Sequence, residues 1–210
     1  MEDIAPGPHR RPERAQQRRT ATAKLLDAAV AQLAHHGVPG LTHRKVEERA
    51  GLAQGSVKYY FGSSDGLIES VLTHLADRAL PLVLTVSPAE RETAAAGDLE
   101  SLSLRAEQVA RAMLADPEEV RARLHLYLQA AGDPHLAELV AAQRERFVAA
   151  IGASLPGPGS AVAARFVCAV VDGILLDQAS APNPVVERHA ARYLMAAGAT
   201  AMELATEPDS

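Results

Sequence analysis

The stretch Leu41-Thr42-His43-Arg44-Lys45-Val46-Glu47-Glu48-Arg49-Ala50-Gly51-Leu52-Ala53-Gln54-Gly55-Ser56-Val57-Lys58-Tyr59-Tyr60-Phe61 decides how this chain is read. Thr42 stands where a helix N-cap belongs, and the pattern after it predicts a short helix from His43 to Ala50. Gly51 then turns the chain into a second short helix, from about Ala53 to Tyr60. Two short helices across a glycine turn form a helix-turn-helix pattern. Val46, Ala50, Leu52 and Val57 can share one apolar core, which leaves Gln54, Ser56, Lys58 and Tyr59 facing away from it. A helix fits the DNA major groove, where Gln reads adenine and Ser is adaptable, while Lys and Tyr hold phosphates. Thr42 also leaves free backbone N–H groups where a phosphate could dock.

Upstream, a helix from about Arg18 to His36 carries Leu26, Val30 and Leu33 as its core stripe, and Gly37, Pro39 and Gly40 end it. Before it, Pro6, Pro8, Pro12 and the arginines read as a flexible basic arm over residues 1–17. Downstream, Ser63 or Ser64 caps a helix bearing Leu67, Ile68, Val71, Leu72 and Leu75, which ends near Pro81. Further helices are expected at about Asp98–Ala115, from Asp116-Pro117 to Ala131, and from Asp133-Pro134 to about Leu155. Two more follow at about Ser160–Ser180 and Pro184–Ala205. There is no strand alternation. The expected fold is all-α, with a helix-turn-helix domain over residues 18–62 and a larger helical domain over 63–210.

Composition agrees. Ala occurs 42 times, Trp is absent and aromatics are 3% of 210 residues, which suits helices packed closely on helices. The net charge of −5 hides an asymmetry: residues 1–62 hold 10 basic and 6 acidic side chains, and residues 63–210 hold 11 and 20. A basic head on an acidic body fits a DNA contact at one end. Cys168, the single cysteine, has no partner for an internal disulfide and sits among apolar neighbours, as an inert thiol would. Neither a signal peptide nor a membrane span is read, so the expected location is the cytoplasm.

Over residues 18–72 the chain resembles the TetR family of one-component transcriptional regulators. The resemblance rests on Leu41-Thr42, Val46, Ala50-Gly51, Gly55-Ser56-Val57, Tyr60-Phe61, Ser63, Asp65 and Leu67. It implies a ligand-responsive repressor, released from a palindromic operator by an unidentified small molecule. It also implies a ligand chamber inside helices four to seven and a homodimer built on helices eight and nine. The candidate DNA contacts are Thr42, His43, Arg44, Gln54, Gly55, Ser56, Lys58, Tyr59, Tyr60 and Ser63. Three positions depart from the family's habit. Lys58 replaces a common Tyr, Ser64 a usual basic residue, and Glu47 a small residue facing the second helix of the motif.

Residues 161–176 are apolar almost all the way round, so this helix must be covered on more than one side. A two-fold four-helix bundle would do this, with Val162, Phe166, Val170 and Ile174 meeting Tyr193, Ala197, Ala201 and Leu204; a core within one chain is the alternative. For the chamber, His74, Arg78, Met113, His125, Tyr127, Arg144 and Phe147 are the candidates, Tyr127 and Phe147 foremost because rings are scarce. The competing readings are a small-molecule enzyme on a helical scaffold and a constitutive DNA-binding protein without an inducer. Neither a nucleophile-base pair, a metal-ligand constellation nor a cofactor fingerprint is found, so no catalysis, metal or cofactor is expected.

Overall fold

The computed structural model describes residues 10–84, 99–155 and 157–206. Within them the chain forms helices α1 (Arg10–Gly40), α2 (His43–Ala50), α3 (Ser56–Phe61), α4 (Ser64–Leu84), α5 (Leu99–Leu114), α6 (Pro117–Ala130), α7 (Pro134–Gly152), α8 (Ser160–Ser180) and α9 (Pro184–Thr206). The fold is all-α. The expected loop at Ser87–Gly97 lies outside the described residues.

Two helix starts differ from the expectation by several residues, while α4 runs through Pro81 to Leu84 and α7 ends at Gly152 rather than about Leu155. α1 begins at Arg10, eight residues before Arg18, so residues 10–17 of the expected flexible arm are helical. Pro12 is no obstacle in a first turn, where its missing N–H has no partner to lose. The helical geometry breaks at Gly37 (φ 62°, ψ −172°), directly after the expected end at His36. The second helix of the motif starts at Ser56 rather than Ala53, because Gln54 and Gly55 form a turn.

Several helix starts follow directly from residue chemistry. Asp116 accepts from the N–H groups of Glu118 and Glu119 at 3.0 and 3.2 Å, and Asp133 accepts from that of Leu136 at 3.1 Å. In both cases proline takes the first helical position. Ser63, not Ser64, caps α4: its hydroxyl accepts from the Gly66 N–H at 3.0 Å.

The main core joins the head to the body. Leu25, Ala29, Leu33, Val46, Val57, Leu67, Val71 and Leu75 form one cluster with Ala122 and Leu126 of α6 and Leu136 and Val140 of α7. The core therefore runs across the 62/63 join without a break. α1 packs extensively on α6 as well as on α2, and α8 with α9 makes the most extensive helix pair. That pair is built on small side chains: Ala163, Ala201 and Ala205 form one buried cluster, and Ala197 is 3% exposed.

Candidate nucleic-acid interface

Residue by residue, the turn between α2 and α3 follows from its glycines. Gly51 adopts a left-handed conformation (φ 66°) that side chains resist, and its N–H closes onto the Glu48 carbonyl at 3.2 Å. Val46 and Val57 are fully buried beneath it against α1. The opposite surface is polar and basic. Thr42, Arg44, Gln54, Lys58, Tyr59 and Ser63 are exposed, and His43, Ser56 and Tyr60 are half-buried. Among the described residues, Arg44, Lys45 and Lys58 have no acidic partner, so their charges are free for an external anion.

Thr42 is the N-cap of α2, its hydroxyl accepting from the Lys45 N–H at 3.4 Å. His43 joins the start of α2 to that of α4 through its Nε2, 3.1 Å from Ser64 Oγ. Tyr59 stands 74% exposed, edge-on to Tyr60 with ring centroids 4.9 Å apart. Tyr60 itself packs against the main core. Two candidates differ from a simple outward-facing row. Gln54 projects from the turn rather than from the helix, and the Ser56 hydroxyl already donates to the Ala53 carbonyl at 2.6 Å.

Glu47, expected to face the second helix of the motif, does so, but the sequence did not reveal what it does there. It is 3% exposed, and its Oε1 accepts from the N–H groups of Gly55 at 3.0 Å and Val57 at 2.9 Å. An acidic residue beside the buried Val46, paired with a glycine N-cap that lacks a capping oxygen, was the available signal.

The body residues separate. Tyr127 and Arg144 come together, with the guanidinium 5.4 Å from the ring centroid and paired with Asp172 at 2.5 Å. Burial pushes the Tyr127 phenol above its ordinary value, and burial likewise raises the nearby Cys168 thiol, which is half-buried. His74 points instead to Asp27 of α1, 3.6 Å away, and the exposed Arg78 pairs with Glu119 at 2.5 Å. His125 is exposed and lies against Gly37, on the α1 side of α6. Met113 and Phe147 are half-buried on α5 and α7. Among the described residues, no three His, Cys, Asp or Glu side chains are grouped to hold a metal ion.

The α8–α9 candidates also divide. Ile174 is buried against Ala110 and Ala190 of its own chain, and Ala197 and Ala201 are buried in the α8–α9 seam. A helix apolar on every side gives one side to its own chain, but Ile174 and Ala197 still border the open groove between α8 and α9. Val162 and Tyr193 remain exposed, while Phe166, Val170 and Leu204 are half-buried. Phe166, Val170, Gly173, Tyr193 and Ala196 line an open groove between α8 and α9. No helix among the described residues is long and apolar enough to cross a membrane.

A helix-turn-helix head with an exposed basic face, packed on a helical body, is an arrangement that can seat a helix in the DNA major groove. The family model described as "Bacterial regulatory proteins, tetR family" matches residues 25–71, and that described as "Tetracyclin repressor-like, C-terminal domain" matches residues 97–200. The HTH-type transcriptional regulator BetI of Burkholderia mallei (strain NCTC 10229) is 31% identical over 171 residues, covering 78% of this chain and 84% of its own. A solved member of the TetR family from Streptomyces coelicolor A3 superposes with a TM-score of 0.64 at 26% identity, over 86% of this chain and 98% of its own. The multidrug binding protein EbrR, solved with imidazole, gives a TM-score of 0.59 at 26% identity, over 95% of this chain and 93% of its own. The chain belongs to the TetR family of transcriptional regulators.

The capping geometry yields a direct test. Thr42→Ala removes the side-chain acceptor at the start of α2 and should cost about 1 kcal/mol of local stability. Hydrogen exchange at the Lys45 amide is expected to speed up, while exchange in α8 and α9 stays unchanged. Unchanged exchange at Lys45 would remove Thr42 from the capping role.

Proposed function

We propose that the chain acts in the cytoplasm as a homodimeric repressor, which holds a two-fold symmetric operator and releases it when a small molecule binds the body. The observation that carries this reading is the shared core, through which α1 and α4 pack on both the helix-turn-helix and α6. Polar contacts add to that connection: the ion pairs of Arg78 of α4 with Glu119 of α6 and of Asp77 of α4 with Arg146 of α7 at 2.7 Å, and a hydrogen bond between His35 of α1 and Glu118 of α6 at 2.8 Å. A ligand that favours one placement of α6 and α7 would then favour one placement of α4, and with it one spacing of two reading heads. EbrR, described as a multidrug binding protein and solved with imidazole and with proflavin, supports a small-molecule effector. In this reading Tyr127, with Arg144 and Asp172, is the ligand contact, because a ring and charged groups lie together there.

In this reading Gln54 and Ser56 face base edges, while Thr42, His43, Arg44, Gly55, Lys58, Tyr59, Tyr60 and Ser63 hold or border phosphates. Selection of bound duplexes from a random pool tests it. A two-fold sequence with half-sites about 34 Å apart should be enriched. Lys58→Ala should reduce the salt slope of binding by about one. Enrichment of no duplex, or an unchanged salt slope, contradicts the assignment.

The dimer is tested at Gly173. A Cβ built there meets no atom of another element within 4 Å, yet the residue lines the largely apolar groove between α8 and α9. Gly173→Glu should therefore leave the fold intact while adding, in each copy, a second negative charge beside Asp177, which lines the same groove one turn along the helix. Analytical ultracentrifugation at micromolar concentration is expected to show monomer for the variant and dimer for the wild type. A full variant dimer would move the interface elsewhere.

A further inference from the structure

We propose that Glu47 is a positioning residue for DNA recognition: its buried carboxylate, carried on α2, takes the capping bonds of α3 that the N-cap residue cannot and sets how that helix is presented. The inference rests on the reading of α3 as the recognition helix. α3 has six residues, too few to hold a helix by its own hydrogen bonds. Its N-cap position is filled by Gly55 at φ 92°, a left-handed conformation that excludes the usual Ser, Thr or Asp with ordinary backbone geometry. Glycine meets the turn but has no oxygen to offer the free N–H groups behind it, and α3 has no side-chain cap of its own.

Glu47 supplies what Gly55 lacks. One oxygen, Oε1, takes the N–H of Gly55 at 3.0 Å and that of Val57 at 2.9 Å. Val57 is fully buried, so water is not available to replace the carboxylate at its N–H. The negative charge lies at the positive end of the helix, where it is favourable. The anchor comes from the neighbouring helix, one residue after the fully buried Val46. The pair of bonds therefore fixes α3 relative to α2 and the core, and not merely its helicity. Lys58 and Tyr59, directly after Val57, are exposed on the segment so fixed. Glu47 touches no DNA in this scheme; it acts through the register of α3.

The test compares Glu47→Ala, Glu47→Gln and Glu47→Asp in the full-length chain, against the selected operator and a scrambled duplex of equal length. Glu47→Ala should lower operator affinity about tenfold with little change on the scrambled duplex, so the ratio of the two falls. Glu47→Gln, whose carbonyl can still accept both N–H groups, should recover most of that ratio. Glu47→Asp keeps the charge but is one methylene too short, and should not. If Glu47→Ala fails to fold, the contrast between Gln and Asp carries the test. An unchanged ratio in the Ala or Asp variant, or an equal loss on both duplexes, overturns the proposal. Hydrogen exchange at the Gly55 and Val57 amides provides a readout without DNA. Faster exchange in the Asp than in the Gln variant is expected, and equal exchange in the two contradicts the role. Should the wild type select no duplex, the recognition reading fails by itself, while exchange still decides whether Glu47 caps α3.

Discussion

The packing of α1 against two different sets of helices is the constraint on which the rest depends. Leu25, Ala29 and Leu33 are fully buried, and they belong to a cluster that includes Val46 and Val57 of the head and Ala122 and Leu126 of the body. A helix-turn-helix of fourteen helical residues in two short pieces has too little surface to stabilise itself. It is held because α1 and α4 present it on a core that the body completes. The same arrangement means that a displacement in α6 cannot be absorbed at a loose hinge, because close-packed interiors pass strain to their neighbours.

The electrostatics reinforce this division of labour. Head cations without acidic partners face outward, while the ion pairs of α4, at Asp77 and Arg78, run toward the body. The Asp77–Arg146 pair, exposed at both ends, contributes little stability, on the order of 1 kcal/mol or less, whereas Glu119 in the other pair is largely covered. The effect of both pairs is on which placement of α4 is preferred, where small energies matter more than in the global balance. Within the body, the Arg144–Asp172 pair beside Tyr127 is partly shielded from solvent and has more to lose from a change of neighbours.

Much of the fold could be read from local chemistry. Asp116-Pro117 and Asp133-Pro134 announced their helices because capping and proline geometry act within a few residues. Gly51 and Thr42 marked α2 for the same reason. The early start of α1 was hidden, since the exposed residues from Arg14 to Thr20 carry no apolar stripe to reveal a helix. The late start of α3 was hidden by a tertiary cap: Glu47 is eight residues from one partner and ten from the other. At the α8–α9 seam, periodicity could not separate the face kept by the chain from the face left open: Ala201 is buried in the seam, while Ile174 and Ala197 are largely covered yet border the open groove. For the body polar groups, residue type gave candidates but no common destination. Tyr127 and Arg144 meet, whereas His74, Arg78 and His125 turn toward other partners.

One measurement tests the shared core most directly: native-state hydrogen exchange of the full-length chain at rising urea concentration, followed at Leu33 of α1, Val57 of α3 and Leu126 of α6. If these residues belong to one cooperative core, Leu33 and Leu126 should exchange through the same opening, with the same free energy and the same urea dependence. Val57 should join that opening and not a smaller one. Exchange of Leu33 and Val57 together at low urea, with Leu126 still protected, would show a head that unfolds by itself and would contradict the account.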